Sequence, residues 1–364
     1  MLAGFLSNLN CMGKPSLILA AIAADALPGL RFVQVQEISE PEDDIVTQLL
    51  LTDQGQQILL KSPKSALALT RLGLEVRALR VLRNVNLPFR VPALLGESSP
   101  GAVYKALAFD YVSGRPTPLH NLRVDDPLVA NLGQTLAQIH SIPTSLVIDA
   151  GLPEYDPALK LRERVAEFDR AMETGKIHPA LLERWQNALL DVNLFRYQPT
   201  VVHGSLSSQV ILSEANEVVG INNWTELSVD DPAVDLAAIY ADCSPEVADA
   251  IALAYESLVR SDRNIRQRAN LYFELSLANY LLHLVTHGSE AEIAGASQDL
   301  AALHADLVEG RLYSLSPTEI APSAPEVVTP ISQAASFTSP VTIVTEQIEV
   351  IELPSGEDQE PDKN

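Results

Sequence analysis

The period of the apolar residues changes once along this chain, and the fold has to accommodate that change. Residues 32–36, Phe-Val-Gln-Val-Gln, alternate as a strand does, and residues 45–51 form an apolar run. Asp53-Gln54-Gly55-Gln56 is a turn signal ahead of Ile58-Leu59-Leu60-Lys61, so a three-strand meander is predicted. Leu69, Leu72, Val76, Leu79 and Leu82 then recur at helical spacing over residues 65–84. Residues 103–112 read as a further strand, ended by the breaker Ser113-Gly114-Arg115-Pro116. Beyond it the period is helical over residues 126–140, 157–174, 179–194, 245–260 and 264–287, with a strand-rich patch at 201–224. The expectation is an α+β fold in two lobes, a small antiparallel-sheet lobe over residues 14–113 and a larger helical one over 114–314.

The two ends read differently. Residues 315–364 are rich in Pro, Ser, Thr and Glu without a sustained period, so they cannot bury enough surface to offset chain entropy and are expected to be a disordered acidic tail. Its one apolar stretch, residues 341–353, is a candidate docking segment for a protein partner. At the other end Lys14 precedes the apolar run 16–24, and Ala24-Asp25-Ala26 loosely imitates a leader-peptide cleavage site. The run is too short to span a bilayer and stops at Pro28-Gly29, which favours a short soluble helix. Residues 1–13 are then an extension, with Met12 a candidate true start.

Charge narrows the partners. Lys and Arg number 25 against 47 Asp and Glu, and the formal charge of −22 repels both nucleic-acid phosphates and anionic lipid. No nucleic-acid or membrane partner is expected, and a cytoplasmic location is. The only cysteines, Cys11 and Cys243, are too few for a disulfide framework and lack zinc-site spacing.

The chemistry-bearing stretch runs Val201-Val202-His203-Gly204-Ser205-Leu206-Ser207-Ser208-Gln209-Val210, then Val219-Gly220-Ile221-Asn222-Asn223-Trp224, then Asp231-Pro232-Ala233-Val234-Asp235-Leu236-Ala237. It resembles the catalytic core of the aminoglycoside phosphotransferase family, whose fold is protein-kinase-like, and within it the macrolide 2'-phosphotransferase branch. That family carries HGDLxxxN, a hairpin, a hydrophobic-Asp-Trp triplet and a DPxxDLA helix start. Leu132-Gly133-Gln134-Thr135-Leu136-Ala137-Gln138-Ile139-His140 and Tyr111-Val112-Ser113-Gly114-Arg115-Pro116 are similar to the same branch. The resemblance spans about residues 14–312.

Phosphoryl transfer needs a carboxylate to orient or take the acceptor's hydroxyl proton and oxygen ligands to hold magnesium across the phosphates. This chain departs from the family at each such position. Ser205 stands at the base Asp, Val210 (or Gln209 in a shifted register) at the metal-binding Asn, and Asn223 at the second metal-binding Asp. Loss of a positioned base alone costs about 10² to 10⁴ in rate.

Other positions keep the family's residue. Asp235 matches the Asp that supports the catalytic-loop backbone, His203 opens the loop, and Asp231-Pro232 suits a helix N-cap followed by Pro. The resemblance implies that Lys61, at the end of the third strand, meets nucleotide phosphates, with Glu75 as its ion-pair partner and Lys64 as the alternative lysine. Glu40-Pro41-Glu42-Asp43-Asp44 stands where glycines would cradle those phosphates, and Glu226, Asp230 and Asp231 are acids near the second motif. The implied cofactor is ATP or GTP with Mg²⁺, and the implied ligand is a small molecule in the helical lobe. Three functions follow: a catalytically impaired binding or regulatory module, an active phosphotransferase acting on a hydroxyl of a small molecule such as a macrolide, or an interaction protein working through its acidic tail.

Overall fold

The computed structural model describes residues 21–38, 44–99, 105–260 and 262–316. The extension at 1–13, the turn acids at 40–43, Cys11 and the tail from 317 onward lie outside the described residues. The described residues form one unit.

Helical residues 21–26 (α1) are followed by β1 (Phe32–Glu37), β2 (Ile45–Thr52) and β3 (Gln57–Pro63), then α2 (Ala66–Leu82), β4 (Leu94–Glu97) and β5 (Leu107–Asp110). The five strands make one antiparallel sheet in the order β1-β2-β3-β5-β4. Pairing of Leu50 with Ile58 and Gln48 with Leu60 puts those side chains on one face. There Leu50, Ile58, Leu60, Ala106 and Ala108 form a small core with Ala23, Ala26 and Leu27. The opposite parity, Leu59, Lys61, Leu107 and Phe109, faces the main core and α2. Strand alternation thus commits Lys61 to the inner face, and β3 continues two residues past it, so the lysine sits within the strand rather than at its end.

The remaining elements are β6 (Arg115–Pro116), α3 (Pro127–His140), α4 (Thr144–Asp149), α5 (Pro157–Glu173), α6 (Pro179–Leu190), β7 (Thr200–Val202), β8 (Ile211–Glu214), β9 (Glu217–Ile221), β10 (Ser228–Asp230), α7 (Ala233–Asp242), α8 (Pro245–Glu256), α9 (Ile265–His287) and α10 (Glu290–Val308). Four helices, α3, α5, α6 and α8, start on a proline, whose fixed φ suits the first turn and whose missing N–H is not needed there. Gly133 lets α3 press onto α8, since a Cβ there would lie 2.6 Å from Ala254 Cβ. The helices expected to reach residues 194 and 260 end at Leu190 and Glu256 instead, α6 because Asp191 leaves helical geometry with ψ of 99°. β8 and β9 form a hairpin joined by β6, and β7 pairs with β10.

The first half of α9 is buried on several sides, and its charged residues are accordingly paired. Arg184 forks onto the Glu274 carboxylate at 2.9 and 2.7 Å, and Trp185 Nε1 donates to the same group at 2.7 Å. Among the described residues no helix is long and apolar enough to cross a membrane.

Candidate active site

β7 delivers His203 into the centre of the helical lobe, where it is fully buried against the Trp224 ring at a centroid distance of 4.5 Å. Its Nε2 donates to Asn222 O at 2.9 Å and its Nδ1 accepts from Ser205 N at 3.2 Å, which fixes the neutral tautomer. Burial pulls its pKa below the ordinary value, against the pull of Asp235. The imidazole shapes the loop backbone, and its one N–H is engaged by Asn222 O.

Asp235, on the first turn of α7 and fully buried, accepts from His203 N and Gly204 N, both at 2.8 Å. Its Oδ2 also meets His140 Nε2 at 3.2 Å, and His140 Nδ1 meets the Tyr255 hydroxyl at 2.9 Å. Burial opposes ionisation of Asp235, but the His140 hydrogen bond and charge and the loop contacts outweigh it and hold the carboxyl below its ordinary value. Asp242, at the other end of α7, accepts from Ser208 N and Oγ at 3.0 and 2.9 Å. The loop from 203 to 208 is therefore tied to α7 by two carboxylates. Between them Gly204 has φ of +83°, and a Cβ there would lie 2.6 Å from Glu226 O, so only glycine fits.

The three departures sit around this loop. Ser205 Oγ donates to Asn223 O at 3.4 Å, bringing the first and second motifs together. Val210 is half-buried and packs on the core, while Gln209 is exposed. Asn223 is exposed in the left-handed conformation (φ 59°, ψ 59°), which Asn tolerates as Asp does, and its Oδ1 accepts from the Thr225 hydroxyl at 3.3 Å. The substitution therefore removes charge while leaving a residue that suits the backbone.

Across from the loop, Lys61 Nζ contacts both Glu75 oxygens at 2.7 Å and lies 5.2 Å from the Phe109 ring centroid. The Glu75 side chain is 1% exposed and that of Lys61 17%. Lys64 lies beyond β3, where its backbone N–H donates to Asp44 O at 2.8 Å. Arg71 on α2 approaches Glu226 at 3.7 Å, linking that helix to the segment after the second motif.

The nearby acids are already engaged. Asp231 accepts from Ala233 N at 2.9 Å, as an N-cap does, and from Arg268 at 2.7 and 2.9 Å and the Tyr272 hydroxyl at 2.7 Å. Asp230 accepts from Asp231 N at 2.7 Å, and burial raises its pKa. A magnesium ion bridging phosphates is usually held by one or two carboxylates. The set Ser205, Gln209 or Val210, and Asn223 offers a hydroxyl, an amide or an aliphatic group, and an amide. These residues do not fit that ion. Lys61, oriented by Glu75 on the inner sheet face, fits a nucleotide phosphate.

The structure thus assembles a two-lobed phosphotransferase scaffold around a loop without its acids. The chain belongs to the APH phosphotransferase enzyme family, whose profile matches residues 37–271, more than half of its length. Its fold is similar to that of macrolide 2'-phosphotransferase MphH from Brachybacterium faecium (22% identity, TM-score 0.65, covering 79% of this chain and 98% of that one). It is similar also to macrolide 2'-phosphotransferase type I (24%, TM-score 0.68, 79% and 98%). An aminoglycoside phosphotransferase, APH(2")-IIIa, solved with GDP and kanamycin, shares the fold at 16% identity (TM-score 0.67, 80% and 99%). No curated protein sequence matches the chain.

Proposed function

We propose that this protein is a catalytically impaired member of its family that works as a binding or regulatory module, with a nucleotide phosphate contacting Lys61. The observation that carries the reading is the contrast at the loop. Its supports, Asp235 on His203 N and Gly204 N and Asp242 on Ser208, are complete, whereas residues 205, 210 and 223 supply no carboxylate. A group able to take a hydroxyl proton and one able to neutralise developing phosphate charge are both missing from the places the fold presents.

The test is restoration. The Ser205→Asp/Val210→Asn/Asn223→Asp variant should gain magnesium-dependent nucleotide hydrolysis, with the parent protein at background. Equal, Lys61-dependent hydrolysis by the parent would overturn the proposal. It would instead favour an active phosphotransferase acting on a hydroxyl of a small molecule, a reading supported by the closed Lys61–Glu75 pair and by Glu226, whose backbone packs on Gly204 and whose side chain is exposed.

A further inference from the structure

The catalytic loop is held from behind, and what holds it lines a cavity. His140 and Tyr255 form part of the wall of a cavity of about 580 Å³, between the ends of α3 and α8 and the start of β7. That volume lies in the range of small-molecule sites. Leu258 and Val259 supply an apolar side.

Two hydroxyl groups give this wall unused hydrogen-bonding capacity. Thr200 lines the cavity, and its Oγ1 is buried with no hydrogen-bond partner among the described residues. A buried hydroxyl left so is costly unless something else occupies the space. His140 bridges Asp235 and Tyr255 through its two ring nitrogens, and the Tyr255 hydroxyl, bonded once there, keeps capacity for one further hydrogen bond. Burial keeps the Tyr255 phenol protonated by pushing its pKa up.

Charge on the wall is already matched. Asp262 on the wall is held by Arg268 Nη1 and Nη2 at 2.7 and 2.8 Å. Arg260 is exposed at the rim, where water solvates it. An ionic ligand would find no desolvated countercharge.

We propose that this cavity binds a small uncharged molecule with an apolar body and one hydroxyl. The hydroxyl pairs with Thr200 Oγ1 and the Tyr255 oxygen, and the body lies against Leu258 and Val259. Occupancy is transmitted to the loop through His140 and Asp235, whose carboxylate holds His203 N and Gly204 N. The binding half stands apart from the proposed function, whereas the coupling half concerns the same loop.

Phenol, with benzene as the probe lacking the hydroxyl, tests the binding half by amide NMR titration of the full chain without nucleotide. Phenol should shift the Thr200 and Val259 amides saturably, binding about fivefold more tightly than benzene. Thr200→Val should abolish that preference while benzene still binds, and Leu258→Trp should weaken both probes. Absence of saturable shifts at the cavity, or phenol and benzene binding alike to the parent, would overturn the site. Cavity shifts without accompanying shifts at His203 and Gly204 would overturn the coupling. Because no nucleotide is present, none of these failures bears on the reading of Lys61.

Discussion

Replacing Lys61 by Met exposes what its pair with Glu75 does for the fold. With Nζ 2.7 Å from both carboxylate oxygens, the attraction at an effective dielectric of 20 is about 6 kcal/mol. Most of that offsets the desolvation of a carboxylate whose side chain is only 1% exposed, so the intact pair adds little net stability. Lys61→Met removes the attraction and leaves the desolvation, for a loss of about 3–5 kcal/mol. For a domain of this size, with an unfolding entropy of about 0.6 kcal/mol/K, that lowers Tm by about 5–8 °C. Glu75→Leu should cost less, because Lys61 is 17% exposed and can turn its ammonium towards water. The double variant Lys61→Met/Glu75→Leu should then be more stable than Lys61→Met alone. Urea denaturation of the four proteins reads the cycle, with a coupling of about 2 kcal/mol or more expected. A Lys61→Met loss under about 1 kcal/mol, or a double variant no better than that single one, would refute the reasoning.

Asp235→Asn puts an N–H where one of the loop amides now finds an oxygen. It should cost about 2–4 kcal/mol and speed hydrogen exchange at His203 and Gly204, and unchanged exchange there would count against the loop tie. Arg268→Met strands the buried Asp231 carboxylate and should cost about 3–5 kcal/mol, partly recovered by Asp231→Asn on the same background; a neutral single variant would contradict the pairing. His203 is buried and its folded pKa lies below 6.5, so under about pH 6.5 the unfolded chain binds the extra proton and stability falls as pH falls. That share is at most about 1.4 kcal/mol per pH unit, and His203→Asn should remove it from denaturation curves taken between about pH 7.5 and 5.5. An identical slope in both proteins would show His203 is not the group concerned.

Much of the architecture can be read from local pattern because its elements repeat an elementary rule. The alternation at 32–36 and the turn at 53–56 specify β1 to β3, and Leu72, Val76 and Leu79 mark the buried side of α2. β4 escapes because it is four residues long and its Gly96 faces Ala26 O, where a side chain would announce burial in any other strand. α10 carries a legible start, the capping box of Ser289 and Glu292, yet only Ala296, Leu300 and Leu303 are fully buried along 19 residues, too thin a stripe to stand out. Ser205, Asn223, Lys61 and Glu75 drew notice through motif resemblance. So did Asp235 as the loop's support, but the contacts of His140 did not, since it lies 95 residues before Asp235 and 115 before Tyr255, and no local period encodes such contacts. Asp242 could have been noticed as the second acid of α7, one helix length after Asp235.

The claim that the scaffold persists while magnesium chemistry is lost is tested most directly by calorimetric titration with ATP and with GTP, each with and without Mg²⁺. The account predicts nucleotide binding that Lys61→Ala abolishes and that magnesium leaves within about twofold, because no carboxylate at residues 205, 210 or 223 holds the ion. Magnesium tightening the affinity about tenfold or more, or no binding of either nucleotide under any condition, would contradict it.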